Sequence, residues 1–173
     1  HGSYDAVLAE GALGVPAGLA RDVVEVPLGD VDALCAALDA RAGEVACVLF
    51  DAMPNRAGLR PADPAFVAAL RAETRRRDVL LVQDEVLTFR IAPGGLHSLY
   101  DVEPDLITLG KMIGGGLPVG AVGGPAALMD QFDPRRDDGL PHGGTFSANP
   151  VTLAAGRAAL ELFGAAESDR LNA

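Results

Sequence analysis

Residues 79–85 read Val-Leu-Leu-Val-Gln-Asp-Glu, a short aliphatic run that ends in three polar side chains. Four consecutive aliphatic residues predict a strand that is buried on both faces. A helix is predicted before it, from Pro64 to about Arg77, because proline favours the first turn of a helix. The apolar run Val45–Phe50 precedes that helix and predicts another buried strand. Strand, helix and strand in this order are typical of a βαβ unit with parallel strands.

The same alternation continues toward both ends of the chain. Upstream, Val23–Val26 predicts a strand, and Asp30 can cap a helix over Val31–Arg41. Downstream we expect two more strands and a last helix, at Leu106–Leu109, at Val119–Val122 and from Pro150 onward. The predicted fold class is therefore α/β, a mostly parallel sheet with helices on both faces.

Composition excludes several classes of protein. The 173 residues are 49% hydrophobic, enough for a domain with its own core and too apolar for a disordered chain. A net charge of -10 disfavours nucleic acid as a partner. The weakly charged stretch Leu106–Met129 contains seven glycines and two prolines, so we expect no membrane span there. Cys35 and Cys47 have no metal-ligand spacing and are expected to be buried free thiols of a cytoplasmic protein.

Lys111 is the only lysine in the chain, and it is the only charged residue between Leu106 and Met129. An apolar surround disfavours the ammonium form and makes the neutral, nucleophilic amine accessible. Schiff-base chemistry needs such an amine. The alternative is a lysine that extends from an apolar edge into water.

Two carboxylates end the strand at 79–82. Adjacent strand residues point to opposite faces, so Asp84 and Glu85 cannot act as one catalytic pair. Asp84 and Lys111 both follow strands, at the sheet edge where α/β proteins bind ligands. A carboxylate there can keep a heterocyclic nitrogen protonated, or it can simply cap the next turn.

Other motifs are less specific. Thr145 lies in a Gly-Gly-Thr-Phe-Ser loop before the last helix, where hydroxyl and backbone N–H groups could bind phosphate or form an ordinary turn. A phosphate-binding P-loop is excluded because Met112 follows the lysine in place of Ser or Thr. No dinucleotide-binding glycine motif follows a strand, which leaves a nicotinamide-dependent oxidoreductase supported by the α/β pattern alone. The three histidines are scattered, so no metal site is predicted.

Three ordered segments resemble the class III aminotransferases that depend on pyridoxal phosphate. They are Gln-Asp-Glu-Val at 83–86, Pro-Asp-Leu-Ile-Thr-Leu-Gly-Lys-Met-Ile-Gly-Gly-Gly-Leu-Pro-Val-Gly-Ala at 104–121, and Gly-Thr-Phe-Ser-Ala-Asn-Pro at 144–150. Within that class the likeness is to glutamate-1-semialdehyde 2,1-aminomutase and its aminotransferase-like relatives. The resemblance implies a fold-type-I large domain over 1–163, with 164–173 beginning the connection to a C-terminal small domain. The upstream phosphate loop and that small domain are expected to lie outside this chain.

The resemblance also implies a role for each matching residue. Lys111 would hold pyridoxal 5'-phosphate as a Schiff base and move protons, and Asp84 would pair with the pyridine nitrogen. Val86 would pack against the ring. Thr145 would contact the phosphate in the neighbouring subunit, so a homodimer with a shared active site is implied. Two further residues match cofactor-binding segments of the family. His1 matches its segment directly, whereas Asn55 matches only approximately.

The implied activity is transfer of an amino group on a small amino or carbonyl substrate, with no role for nucleic acid or a membrane. Two departures from the family bear on it: no glycine separates Thr88 from Phe89, and Asp51-Ala52 stands where the family has Glu-Pro. The departures fit a divergent aminotransferase as well as an aminomutase, and the fragment alone is expected to be inactive. The alternative is a non-catalytic remnant of the fold that serves dimerisation or scaffolding.

Overall fold

A computed structural model describes residues 21–173, together with residues 16 and 18. The chain forms two compact units, the first ending at Leu81 and the second beginning at Val82. No helix within the described residues is both long enough and apolar enough to cross a membrane.

Between residues 21 and 81 the first unit contains two helices, one strand and the start of another. In chain order they are α1 (Val31–Ala40), β1 (Cys47–Phe50), a 3-10 turn (Asn55–Ala57), α2 (Pro64–Arg76) and the beginning of β2 (Leu80–Asp84). Aspartates cap both helices. Asp30 Oδ1 accepts from the Ala33 N–H at 2.8 Å, and Asp63 Oδ1 accepts from the Ala65 N–H at 2.7 Å. The predicted starts of both helices are confirmed.

Helices α1 and α2 bury apolar faces and are joined by an ion cluster. Their buried side chains are Leu34, Leu38, Phe66, Val67 and Leu70. Just after α2, Arg77 donates to Asp39 through Nη2 at 2.6 Å and also pairs with Glu73. Hydrogen bonds from Arg76 and Arg77 lower the pKa of Glu73 to about 2.

Strand β1 lies beside the beginning of β2, where the Leu80 N–H donates to the Ala46 carbonyl at 3.1 Å. Only Phe50 of β1 is buried, so the prediction that both faces of this strand are covered is wrong. Cys47 is exposed and Cys35 is half-buried, which also corrects the expectation that both thiols are buried; both are free.

The second unit is built around the end of β2 and two further strands, β3 (Leu106–Gly110) and β4 (Gly120–Gly123). Residues Val82–Asp84 of β2 pair in parallel with β3, in a register that places Asp84 opposite Thr108. Strand β4 returns antiparallel to β3, with Gly120 opposite Gly110. The α/β class with a mostly parallel sheet is confirmed.

Helices and short turns complete the second unit. The helices are α3 (Ala126–Met129), α4 (Pro150–Leu162) and α5 (Ala165–Asn172); the 3-10 turns are Thr88–Ile91, Leu96–Tyr100, Lys111–Gly114 and Asp130–Phe132. Helix α4 touches the Lys111–Gly114 turn backbone to backbone. A Cβ on Gly156 would lie 2.1 Å from the Ile113 carbonyl oxygen, and one on Gly115 would lie 2.3 Å from that of Ala155. Glycine at both positions is what allows this approach.

Two apolar sequence patterns are largely exposed in the structure. No strand of the described chain includes 23–26, and Val24 is 49% exposed. Valines favour a strand only where a neighbouring strand supplies the ladder, so this prediction was wrong. In α4 the leucines at 153, 160 and 162 are exposed, and Gly156 is its one buried residue.

Candidate active site

Asp84 ends β2 and is half-buried. Its Oδ1 atom accepts from the Val86 N–H at 2.9 Å and from the Thr108 hydroxyl at 3.3 Å. Among the described residues none donates a hydrogen bond to Oδ2. The carboxylate therefore does cap the following turn, through Oδ1.

Val86 lies against the start of the lysine turn. A Cβ at Gly110 would be 3.3 Å from Val86 Cγ1 and 3.3 Å from the Val119 carbonyl oxygen. Such separations are tighter than ordinary van der Waals contact. Gly110, which directly precedes Lys111, thus lets the end of β3 approach Val86. Val86 in turn lies two residues after Asp84.

Lys111 opens the 3-10 turn with a φ of 48°. This left-handed conformation costs a non-glycine residue about 1–2 kcal/mol, and such strain is concentrated at functional sites. The side chain is exposed, so the expectation that its apolar neighbours desolvate it is wrong for this chain. The apolar neighbours Leu106, Ile107 and Leu109 lie in strand β3 and do not cover the Lys111 amine. Lys111 is accessible to a reactive carbonyl.

Thr145 lies in an exposed loop that leads into α4. Its turn is closed by the Ser147 N–H, which donates to the Gly144 carbonyl at 2.9 Å. Asn149 Oδ1 caps α4 by accepting from the N–H groups of Val151 at 3.0 Å and Thr152 at 3.2 Å. No hydrogen bond of the described residues joins Thr145 to Asp84 or Lys111.

A cleft of about 1110 Å³ runs between this loop, α4 and strands β3 and β4. Its apolar lining includes Phe89, Leu109, Ile113, Phe146 and Leu153, whereas Asp84 and Lys111 are not among its lining residues. Sequence reasoning missed this cleft. The row of leucines in the last helix was the available sign of it.

Glu85 points away from Asp84, as the strand alternation predicts. It is fully buried and accepts hydrogen bonds from Thr88, Leu96 and His97, whereas Asp84 bonds to Val86 and Thr108. This network was not predicted. Its partners lie up to 12 residues away across a loop, and no short motif links them.

Two further residues, Asn55 and His1, were predicted to bind the cofactor. Asn55 is exposed in the first unit, where its carbonyl accepts from the Gly58 N–H at 3.1 Å. His1 is outside the described residues. Their roles toward a cofactor stay predictions. Within the described residues no group of three or more His, Cys, Asp or Glu side chains is arranged to hold a metal ion.

The family model for class-III aminotransferases matches residues 23–170. The chain belongs to this family. It is 45% identical to an omega-transaminase from Sphaerobacter thermophilus, with a TM-score of 0.88 over 92% of this chain and 37% of that one. A transaminase solved with pyridoxal phosphate bound is 35% identical, with a TM-score of 0.87 over 95% of this chain and 41% of the other. These neighbours confirm the expected fold-type-I architecture.

The aminomutase to which the motifs show a likeness is also found among the sequence relatives. Glutamate-1-semialdehyde 2,1-aminomutase from Acidobacterium capsulatum is 40% identical over 91% of this class-III aminotransferase chain. The match covers 39% of that relative, so the chain spans about two fifths of its length.

Proposed function

We propose that this chain supplies the ring-binding and lysine-bearing part of an enzyme that transfers amino groups with pyridoxal phosphate. The proposal is carried by the placement of two residues at neighbouring strand ends. Asp84 ends β2 with its Oδ1 atom anchored, and the strained, exposed Lys111 directly follows β3, the strand that pairs in parallel with β2. Membership of the class-III aminotransferase family supports the same cofactor.

The residues present fit this cofactor. Lys111 would hold it through the Nζ amine, Asp84 Oδ2 would accept from its pyridine nitrogen, and Val86 would contact its ring. When bound, pyridoxal phosphate supplies an electron sink for the substrate carbon. A carboxylate at the pyridine nitrogen keeps that nitrogen protonated by opposite-charge pairing.

Lys111 has a second task. An amine that returns to its neutral form can accept a proton from the substrate carbon and deliver it to another atom. The exposed position of the lysine allows its Nζ to reach a small substrate from solvent. The strained backbone at Lys111 fixes the point from which the side chain that carries this amine extends.

Thr145 fits a site shared between two copies of the chain. Its loop is exposed and presents a hydroxyl and backbone N–H groups of the kind that bind phosphate. We propose a homodimer in which Thr145 contacts the cofactor phosphate of the partner. The two free cysteines favour a reducing compartment such as the cytoplasm.

The proposed activity covers two reactions, transamination and the aminomutase reaction. The omega-transaminase shares 45% of residues with this chain and the aminomutase 40%. The missing glycine after Thr88 also suits a divergent branch. A transaminase needs a separate amino donor and carbonyl acceptor, whereas an aminomutase rearranges one substrate.

The test is a single-turnover measurement on the protein as the cell makes it. With pyridoxal phosphate bound, an omega-amino donor should convert the cofactor from its aldehyde form to its amine form. The readout is the loss of the long-wavelength absorbance band of the bound aldehyde form. The Lys111→Ala variant should give no such change. Turnover of glutamate-1-semialdehyde without any acceptor would instead assign the aminomutase reaction, and no reaction in either assay would favour a non-catalytic scaffold.

A further inference from the structure

A second buried acid lies beside the proposed ring-binding aspartate and has no part in the mechanism above. Glu85 is 0% exposed, in contrast to the half-buried Asp84. A carboxylate with no access to water is stable only when hydrogen-bond donors replace its hydration. Its surroundings therefore show what the fold uses it for.

Four donor groups converge on the two oxygens of Glu85. Oε1 accepts from the His97 N–H at 2.8 Å and lies 2.9 Å from His97 Nδ1. Oε2 accepts from the Thr88 hydroxyl at 2.6 Å and from the Leu96 N–H at 3.1 Å. A carboxylate can accept about four such bonds, and the His97 Nδ1 contact supplies the fourth when the imidazole proton is on that nitrogen.

The loop that carries these donors is shaped around the carboxylate. Gly95 has a φ of 83°, and a Cβ there would lie 3.1 Å from His97 Nδ1 and 3.2 Å from Glu85 Cδ. A side chain at this position would be strained and would crowd both groups. The loop at 95–97 and the end of β2 thus form one fitted unit.

The position of Glu85 in the chain connects this unit to the site. It is joined by one peptide bond to Asp84 and by another to Val86, whose N–H holds Asp84 Oδ1. Rotation of the backbone at residue 85 would move both the aspartate and the donor that orients it. The other contact of the Asp84 carboxylate, to the Thr108 hydroxyl, is longer at 3.3 Å.

We propose that Glu85, held by Thr88, Leu96 and His97, is a positioning residue for Asp84. It fixes the end of β2 so that Asp84 Oδ2 stays aimed at the ring nitrogen of the cofactor. This inference rests on the proposed function, because it needs Asp84 to bind pyridoxal phosphate.

A double-mutant cycle on the full chain tests the proposal through the Kd for pyridoxal phosphate, measured by equilibrium dialysis. We expect Glu85→Gln to weaken binding about tenfold when Asp84 is present, and less than about twofold in the Asp84→Asn background, because residues that act through one another are not additive. Amide hydrogen exchange should rise at residues 84–89 in the Glu85→Gln variant without cofactor.

Two further variants keep the test decisive if Glu85→Gln folds poorly. Thr88→Val removes one donor to Glu85, and a 3.4 Å contact to the Asp84 carbonyl, with little change of shape. It should weaken binding about threefold, less than Glu85→Gln does, because the contacts of Glu85 to Leu96 and His97 remain. Ser98→Ala is the matched control. It removes a 2.7 Å bond to the Gly95 carbonyl in the same loop without touching Glu85, and should leave the Kd unchanged.

The outcomes separate this inference from the proposed function. Equal losses from Glu85→Gln in both backgrounds would make Glu85 merely structural and overturn the inference, as would a loss from Asp84→Asn with none from Glu85→Gln. If Asp84→Asn leaves the Kd unchanged, or the protein as the cell makes it does not bind pyridoxal phosphate, the proposed function itself fails and the positioning role falls with it.

Discussion

Two regions of the second unit carry the predicted cofactor residues in opposite ways. In the segment 84–97, which we call the strand-end segment, Asp84 and Glu85 are held by hydrogen bonds from side chains and backbone, and Glu85 is fully buried. In the segment 143–149, which we call the exposed loop, the Phe146 side chain is 81% exposed. That loop is closed by one backbone bond, between Ser147 and Gly144.

The difference indicates which contacts hold each of the two segments in place. The side chains proposed to bind the ring are fixed within one chain, by partners that are already present. The groups proposed to bind phosphate stand on a loop that is exposed in this chain. This contrast fits the proposed site shared by two copies of the chain, and substitutions in either segment test it.

The largest effect is expected at Lys111. Lys111→Ala should abolish retention of pyridoxal phosphate after borohydride reduction, because no other lysine is available. Lys111→Arg should fail equally despite its charge, since a guanidinium does not provide a neutral amine. Retained cofactor absorbance in either variant, after correction for the N-terminal amine, would contradict the assignment.

The next effect compares a glycine under the lysine turn with one in the exposed loop. Gly115→Ala should cost about 2–4 kcal/mol of unfolding free energy, because its Cβ would meet the Ala155 carbonyl at a φ of 59°. Gly143→Ala has open space and should change stability by less than about 0.5 kcal/mol. Urea denaturation measures both. Equal losses would mean that the exposed loop is as tightly packed as the lysine turn.

Asp84→Asn is expected to act on binding rather than on folding. It should weaken pyridoxal phosphate binding by about 10- to 30-fold, the loss of a charge-assisted hydrogen bond. The unfolding midpoint should move little, since an amide oxygen can still accept from the Val86 N–H. Isothermal titration and a urea curve on the same sample check both halves. A collapse in stability would show that Asp84 is chiefly a cap.

The smallest effect is expected in the exposed loop. Thr145→Ala should leave the stability of the isolated chain within about 0.5 kcal/mol, as for most exposed substitutions. It should weaken pyridoxal phosphate binding only where the chain dimerises, by about threefold for one lost hydrogen bond. Binding curves at low and high chain concentration provide the test. An equal loss at both concentrations would place Thr145 in its own subunit's site.

Local signals in the sequence predicted most of the elements. Three helix starts were marked by local signals and are confirmed by the structure: the cap at Asp30 and the prolines at 64 and 150. Aliphatic runs located β1 to β3 to within two residues at each end. The failures involve partners distant in sequence: Val23–Val26 finds no strand to pair with among the described residues, and the lysine's apolar neighbours do not cover it.

The candidate site was predictable to the same extent. Asp84, Val86 and Lys111 follow from strand ends and from family resemblance, and the parallel register of β2 and β3 sets the strands that carry them side by side. The convergence of donors on Glu85 was not predictable. It depends on a loop geometry at Gly95 that a pattern of residue types does not specify.

We propose that the cofactor attaches at Lys111. The measurement mixes the chain with pyridoxal phosphate, reduces it with borohydride and maps the modified residue by mass spectrometry, with the N-terminal amine scored separately. Saturable labelling is expected at Lys111, and pyridoxal without its phosphate should compete with it only weakly. Labelling confined to the N-terminus, in this chain and in the protein as the cell makes it, would contradict the claim.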